Sequence, residues 1–379
     1  VIRILNLTNQ YKDIYSNILY TGYQYIANNH KFYGIIIIGQ KNISKIFVFL
    51  QVIYLPGGMM KAAKLAGYRK FEFVETPQPQ PAEGEVLIKT QRASICGSDL
   101  RTYDRAHPEE NYPFGLGSPC HECLGEVVET RTNELKVGDR VIVLPTNSGG
   151  LVEYMAESSN RCIKLPSYGD LSVWMMGQPV GTVMYAIQES DHVLGKTVVV
   201  LSQGAIGLAF TQLMALAGAR QIIVTDLLDY RLDVAKKIGA THTLNPIRDN
   251  VVEAVEEITG GRMADVAIEA CGRPETCNEV FQVLRQRGQA ILFGMTHTED
   301  SFMFDYHAMY LKIPRINVTN AARAGESVRS IRECVNLMSQ GRLDLSHLVT
   351  HRMEFDDVQK AYDTYSEKKD HSIKVVIEL

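Results

Sequence analysis

The feature that most constrains this chain is a strand, a glycine turn and a helix in immediate succession, beginning at Thr197. Residues 197–201 (Thr-Val-Val-Val-Leu) form a β-branched run suited to a parallel strand buried on both faces. The run leads through Ser202, Gln203, Gly204, Ala205, Ile206 and Gly207 into an apolar helical stretch over residues 208–217. Glycines in such a turn let the backbone approach a pyrophosphate and let the helix pack on the strand, while the helix N-terminus offers unpaired N–H groups to phosphate. Gly204, Ala205, Ile206 and Gly207 are therefore candidate phosphate contacts. Ser202 stands where the first glycine of G-x-G-x-x-G is usual, so the turn takes its meaning from the helix and second strand after it. That second strand, residues 221–225, ends in Asp226, about twenty residues beyond the turn, where a carboxylate accepts hydrogen bonds from the ribose hydroxyls of NAD and repels the 2′-phosphate of NADP. Capping of the next helix is the simpler role for Asp226, but the complete unit favours cofactor binding. Arg231 either flanks the adenosine or is a solvated helix residue. A helix over 251–259, a strand over 264–269, a helix over 277–284 and a strand over 289–293 continue the alternation. The pattern predicts an α/β fold with a doubly wound parallel sheet.

At 379 residues the chain has room for two domains, each with its own core. A net charge of -4 and a pI near 6.2 provide no basic field for nucleic acid. The seven cysteines are odd in number and scattered, which fits a reducing cytoplasm better than a disulfide framework. The first 58 residues differ from the rest: twelve Ile, seven Tyr and six Asn, a single Ala27, no Glu, and five basic residues against Asp13. Their longest apolar runs, 35–38 and 46–50, fall far short of the roughly 20 residues that span a bilayer. A secretory signal is also a poor match, because no single apolar region with a small-residue cleavage site is present. Ile, Asn, Tyr and Lys have A/T-rich codons, so the expectation for residues 1–58 is a non-native or disordered extension; a real extension that packs on the body or mediates assembly is the alternative.

Two segments ahead of the glycine turn bear on chemistry: Cys96-Gly97-Ser98-Asp99, and Pro119-Cys120-His121-Glu122-Cys123. With Val137-Gly138-Asp139-Arg140-Val141 and Gly149-Gly150-Leu151-Val152-Glu153-Tyr154, these segments resemble the zinc-dependent medium-chain dehydrogenase family, which includes alcohol, sorbitol, threonine and archaeal glucose dehydrogenases. The resemblance covers residues 60–379. It implies a GroES-like β-rich catalytic domain over 59–184, completed by 324–379, and a Rossmann NAD-binding domain over 185–323.

The resemblance also implies roles. Cys96 and His121 would be zinc ligands, Glu122 would bind the metal directly or through water, and Asp99 would orient His121. The third ligand position, a Cys or Glu in the family, falls on Gln178, a weaker neutral donor that archaeal glucose dehydrogenases similarly use; this points toward sugars or polyols. Cys120 and Cys123 would be structural. No cysteine lies between Asp139 and Gly150, so one catalytic zinc and no structural zinc are expected. Ser98 would be the first proton-relay hydroxyl, Arg101 replaces the relay histidine, and Thr182 would pack against the nicotinamide. Residues 101–111 and 317–323 would line the substrate pocket. The implied activity is hydride transfer between NAD and a secondary alcohol, polyol or sugar. A zinc-free quinone or enoyl reductase and a non-catalytic NAD-binding sensor are the alternatives. Neither nucleic acid nor membrane is expected as a partner. The resemblance implies a homodimer or homotetramer, with residues 315–318 as the sheet edge.

Overall fold

The computed structural model describes residues 58–296, 301–319 and 327–379, together with the backbone of two strands, β1 (Tyr33–Ile37) and β2 (Leu50–Tyr54). These two pair antiparallel, with Tyr33 opposite Tyr54. The expectation for residues 1–58 otherwise lies outside the described residues, as does the 320–323 part of the expected pocket loop.

Strands β3 (Met59–Gly67) and β4 (Lys70–Pro77) form a two-stranded sheet. Five strands come next: β5 (Glu85–Ser94), β6 (Glu122–Thr130), β7 (Arg140–Val143), β8 (Tyr154–Ser158) and β9 (Cys162–Lys164). The parallel half of the molecule contributes β10 (Thr197–Leu201), β11 (Gln221–Thr225), β12 (His242–Leu244), β13 (Ala264–Glu269), β14 (Leu284–Leu292) and β15 (Arg315–Val318). The C-terminus adds β16 (Val349–Glu354) and β17 (Lys374–Glu378).

The six strands β12-β11-β10-β13-β14-β15 lie in that order and are all parallel. All five residues of β10 are buried. Val198 and Val200 face a cluster that includes Leu208, Ala209 and Leu213 of the helix Ala205–Leu216, whereas Val199 and Leu201 face Val255, Val280 and Phe281. Alternate side chains thus enter two cores, which is why the strand is apolar throughout. The doubly wound sheet expected from the alternation is present.

Two boundaries differ from the sequence expectation. The helix expected over 277–284 spans Pro274–Gln282, because proline is well suited to the first helical turn, where its missing N–H has no intrahelical partner. Strand β14 begins at Leu284, not 289: Leu284 pairs with Ala264 ahead of a register break, and Arg287 takes a φ of 55° in the irregular stretch.

The other large sheet runs β16-β17-β5-β6-β7-β9, with β8 also paired to β5. Its composition decides the site. Strand β17, from the far end of the chain, pairs antiparallel with β5, Val376 opposite Ser94, and Ser94 is in turn opposite Glu122 of β6. The C-terminal strand therefore closes on the residues around Cys96 and His121. Helices Gly177–Gln188 and Ser327–Ser339 cross closely at Gly181, where an added Cβ would come within 2.5 Å of the Ile331 Cα. No helix among the described residues is long and apolar enough to cross a membrane.

Candidate metal and dinucleotide site

Strand β5 ends at Ser94, and Cys96 caps a short 3-10 turn, Gly97–Asp99. The turn brings the Asp99 side chain back, so that its Oδ2 accepts a hydrogen bond from the Cys96 N–H at 2.9 Å. The other oxygen, Oδ1, lies 2.9 Å from Nδ1 of His121, which directly precedes β6. Asp99 is buried and thereby fixes the ring, leaving Nε2 as the atom directed away from it, 3.5 Å from the Ser98 hydroxyl. One ligand atom each from Cys96, His121 and Glu122 lie within 4.8 Å of one another. Burial disfavours a protonated His121, yet the Asp99 carboxylate and the Cys96 thiolate outweigh it and raise its pKa well above the ordinary imidazole value. That environment attracts positive charge, and the donor set fits a borderline-soft divalent cation.

Lys374 of β17 completes the cluster. Its Nζ donates to both Glu122 oxygens, at 2.6 and 2.7 Å, and to the Ile95 carbonyl at 3.0 Å, with both side chains only 2% exposed. Burial opposes a charged Glu122, but the ammonium prevails and lowers its pKa. Both oxygens of this expected metal-binding carboxylate are thus held by an ion pair. Lys374 escaped the sequence reading, although a lysine inside the apolar run 373–377 is a signal of a buried partner. Gln178 likewise sits beside His121 with its amide occupied: Nε2 donates to the His121 carbonyl at 2.5 Å and Oε1 accepts from the Cys123 N–H at 3.3 Å. The structure brings Cys96, Ser98, His121 and Glu122 together, and ties Gln178 to the backbone around them. Cys120 and Cys123 are buried, and their sulfurs leave no room for a side chain at Gly150.

The second constellation lies at the C-terminal edge of the parallel sheet. Ser202 has a φ of 82°, a conformation natural to glycine, at the position of the motif's first glycine. A Cβ on Gly207 would fall 1.8 Å from the Ser202 carbonyl, so that glycine is dictated by helix–strand contact. At Gly204 an added Cβ would meet only Arg231 Nη1, at 3.9 Å, leaving open space in front of the turn. Ala205 and Ile206 begin the helix. Asp226 directly succeeds β11; its Oδ2 accepts from the Gln203 N–H at 2.7 Å and its Oδ1 from the Leu228 N–H at 3.0 Å. Arg231 is not a solvated helix residue: its side chain is 13% exposed, lies 3.6 Å from the Asp226 carboxylate and donates through Nε to the Tyr230 hydroxyl at 3.2 Å. Thr182, on the helix Gly177–Gln188, donates its hydroxyl to the Pro179 carbonyl at 2.6 Å.

The family described as alcohol dehydrogenase GroES-like domain matches residues 82–199, and that described as zinc-binding dehydrogenase matches residues 205–340. The chain is 28% identical to an uncharacterised zinc-type alcohol dehydrogenase-like protein of Escherichia coli K12, over 79% of this chain and 93% of that one. It is 27% identical to the sorbitol dehydrogenase of Bacillus subtilis, over 84% and 97% of the two chains. The crystal structure of 2R,3R-butanediol dehydrogenase from Bacillus subtilis superimposes with a TM-score of 0.73 at 24% identity, over 84% of this chain and 99% of that one.

Proposed function

Because the chain belongs to the zinc-dependent medium-chain dehydrogenase/reductase family of oxidoreductases, we propose that it transfers hydride between NAD and a secondary alcohol, polyol or sugar at one catalytic zinc. The observation that carries this reading is the convergence of Cys96, His121 and Glu122, with the imidazole already oriented by Asp99. Cys96 and His121 are the ligands we assign first, with Glu122 and Gln178 as further candidates. Bound Zn2+ supplies a Lewis acid that brings the pKa of an alcohol hydroxyl toward neutrality. Bound NAD supplies the hydride acceptor.

The protein's own groups do the rest. Asp99 holds His121 by Nδ1, and Lys374 neutralises Glu122, so the Cys96 sulfur and the His121 Nε2 remain as the donors that would face a metal. Ser98, whose hydroxyl lies beside His121, receives the alcohol proton; Arg101 cannot pass it on near neutral pH. Gly204, Ala205, Ile206 and Gly207 offer the phosphate cradle, Asp226 and Arg231 take the adenosine side, and Thr182 packs against the nicotinamide. The carboxylate at Asp226 supports NAD over NADP. The name of the sorbitol-oxidising relative supports a polyol or sugar substrate.

The sheets support dividing the body into a catalytic part, 59–184 with 324–379, and a cofactor part, 185–323. Exposed Ile316 and Val318 on β15 support a homodimer or a homotetramer built from such pairs. The cysteine pattern supports a cytoplasmic location.

The test is metal content and turnover of the full chain. About one zinc per chain, chelator-sensitive reduction of NAD with polyols or aldoses, and loss of both in Cys96→Ser are expected. Activity that survives complete removal of metal would move the protein to the zinc-free reductases; NAD binding without turnover on any alcohol would make it a sensor.

A further inference from the structure

We infer that Glu269 sets the preference of the dinucleotide crevice for the oxidised, positively charged cofactor over the reduced, neutral one. This rests on reading that crevice as the NAD site.

The sheet has a topological switch between β10 and β13. From β10 the chain proceeds to β11 on one side, and from β13 to β14 on the other, so the crevice opens between the carboxyl ends of these two neighbours. Glu269 is the last residue of β13 and lies opposite Leu201, the last residue of β10. With Asp226 at the end of β11 taking the adenosine, the nicotinamide half of a bound dinucleotide extends the other way, over the exits of β13 and β14. Glu269 stands at the first of these exits.

Its side chain is fully buried. One oxygen, Oε1, accepts from the Cys271 N–H and the Gly272 N–H, both at 2.8 Å, and from the Thr276 hydroxyl at 2.7 Å. The other, Oε2, has no hydrogen-bond partner. It lies where the two exit loops meet: a Cβ added to Gly294 would come within 2.3 Å of Oε2 and 2.2 Å of the Gly272 nitrogen. Only glycine fits there.

The charge balance separates Glu269 from the other buried acids. Asp99 faces His121, Glu122 faces Lys374, Glu157 faces Arg161, Asp226 faces Arg231 and Asp265 faces Arg285. Among the described residues Glu269 alone of the buried acids has no basic group within ion-pair distance; Arg273, four residues on, is exposed to solvent. A buried charge without a counter-ion is costly, and a cation brought near it in a poorly screened crevice is favoured. The oxidised nicotinamide ring carries a positive charge and the reduced ring carries none. Glu269 therefore strengthens binding of NAD+ and leaves NADH comparatively loose, which favours release of the reduced product after alcohol oxidation.

The experiment measures Kd for NAD+ and for NADH by titration calorimetry on the full chain. Glu269→Gln keeps the size and an acceptor at Oε1 but removes the charge. Its Kd for NAD+ is expected to rise about fivefold or more, with that for NADH changing less than about twofold. Thr276→Lys leaves Glu269 in place, brings an ammonium against Oε1, and is expected to shift the ratio of the two constants in the same direction, so a poorly folding Gln variant does not stop the test. Equal weakening of both forms in these variants would mean that Glu269 only holds the loops, and would overturn the inference. Wild-type protein that binds neither form would overturn the cofactor reading as well; wild-type protein that binds both, with a ratio that no variant moves, would overturn this inference alone.

Discussion

Lys374 shows how much one side chain can decide. It lies in a C-terminal strand, 252 positions from the acid it neutralises, and both groups are withdrawn from water. Removing one partner of a buried pair leaves the other charge without compensation, which costs about 3–5 kcal/mol. Lys374→Met should therefore lower stability by that order in denaturant unfolding, and adding Glu122→Leu should recover most of the loss. A second residue-scale prediction concerns the glycine turn. Gly207→Ala drives a methyl group into the Ser202 carbonyl, so the helix must move off β10; a loss of about 1–3 kcal/mol and weaker NAD binding by calorimetry are expected. Ser202→Gly should instead be neutral or stabilising by up to about 1 kcal/mol, because the φ of 82° already favours glycine.

At the scale of elements, Asp265 joins β13 to the start of β10. It accepts from the Thr197 N–H at 2.9 Å and from Arg285 Nε at 2.7 Å, with Arg262 at 3.4 Å. Burial alone would raise its pKa, but these donors outweigh it and hold the value below that of an ordinary aspartate. A carboxylate whose folded pKa is lowered stabilises the fold above its unfolded pKa, about 3.9, and loses that contribution as pH falls through the lower folded value. Asp265→Asn should thus cost about 1–3 kcal/mol near pH 7, and the gap to wild type should close as unfolding is repeated below about pH 4. A gap that is constant with pH would mean that packing, not charge, is what Asn loses. Pairing between elements also moved the start of β14: nothing in residues 284–288 announces a strand, because Leu284 is recruited by pairing with Ala264 across the sheet.

For the whole molecule, the exposed edge of the six-stranded sheet is the feature that bears on assembly. Among the described strands β15 pairs only with β14, and its Ile316 and Val318 are 43% and 73% exposed. An open apolar edge of this kind favours pairing with another copy. Val318→Lys combined with Ile316→Glu should shift the protein toward monomer in sedimentation velocity while leaving zinc content unchanged. An unaltered assembly would place the interface elsewhere.

The strand, glycine turn, helix and terminal acid of residues 197–226 were legible in the sequence because their causes are local: β-branched residues for a doubly buried strand, glycine where a carbonyl or a phosphate comes close, an acid at the end of the next strand. Cys96 and His121 stood out through the motifs around them, and the roles expected of Ser98 and Asp99 came from the family resemblance those motifs carry, since each sits in a short turn or beside a strand end with recognisable neighbours. Tertiary structure alone decided the charge state of the site. The pairing of β17 with β5 delivers Lys374 to Glu122, the packing around His121 ties the Gln178 amide to backbone, and Arg231 folds back onto Asp226. Glu269 is left without a cation in the same way, because whether a buried acid has a partner depends on what the sheet order brings beside it, and spacing along the chain carries no record of that.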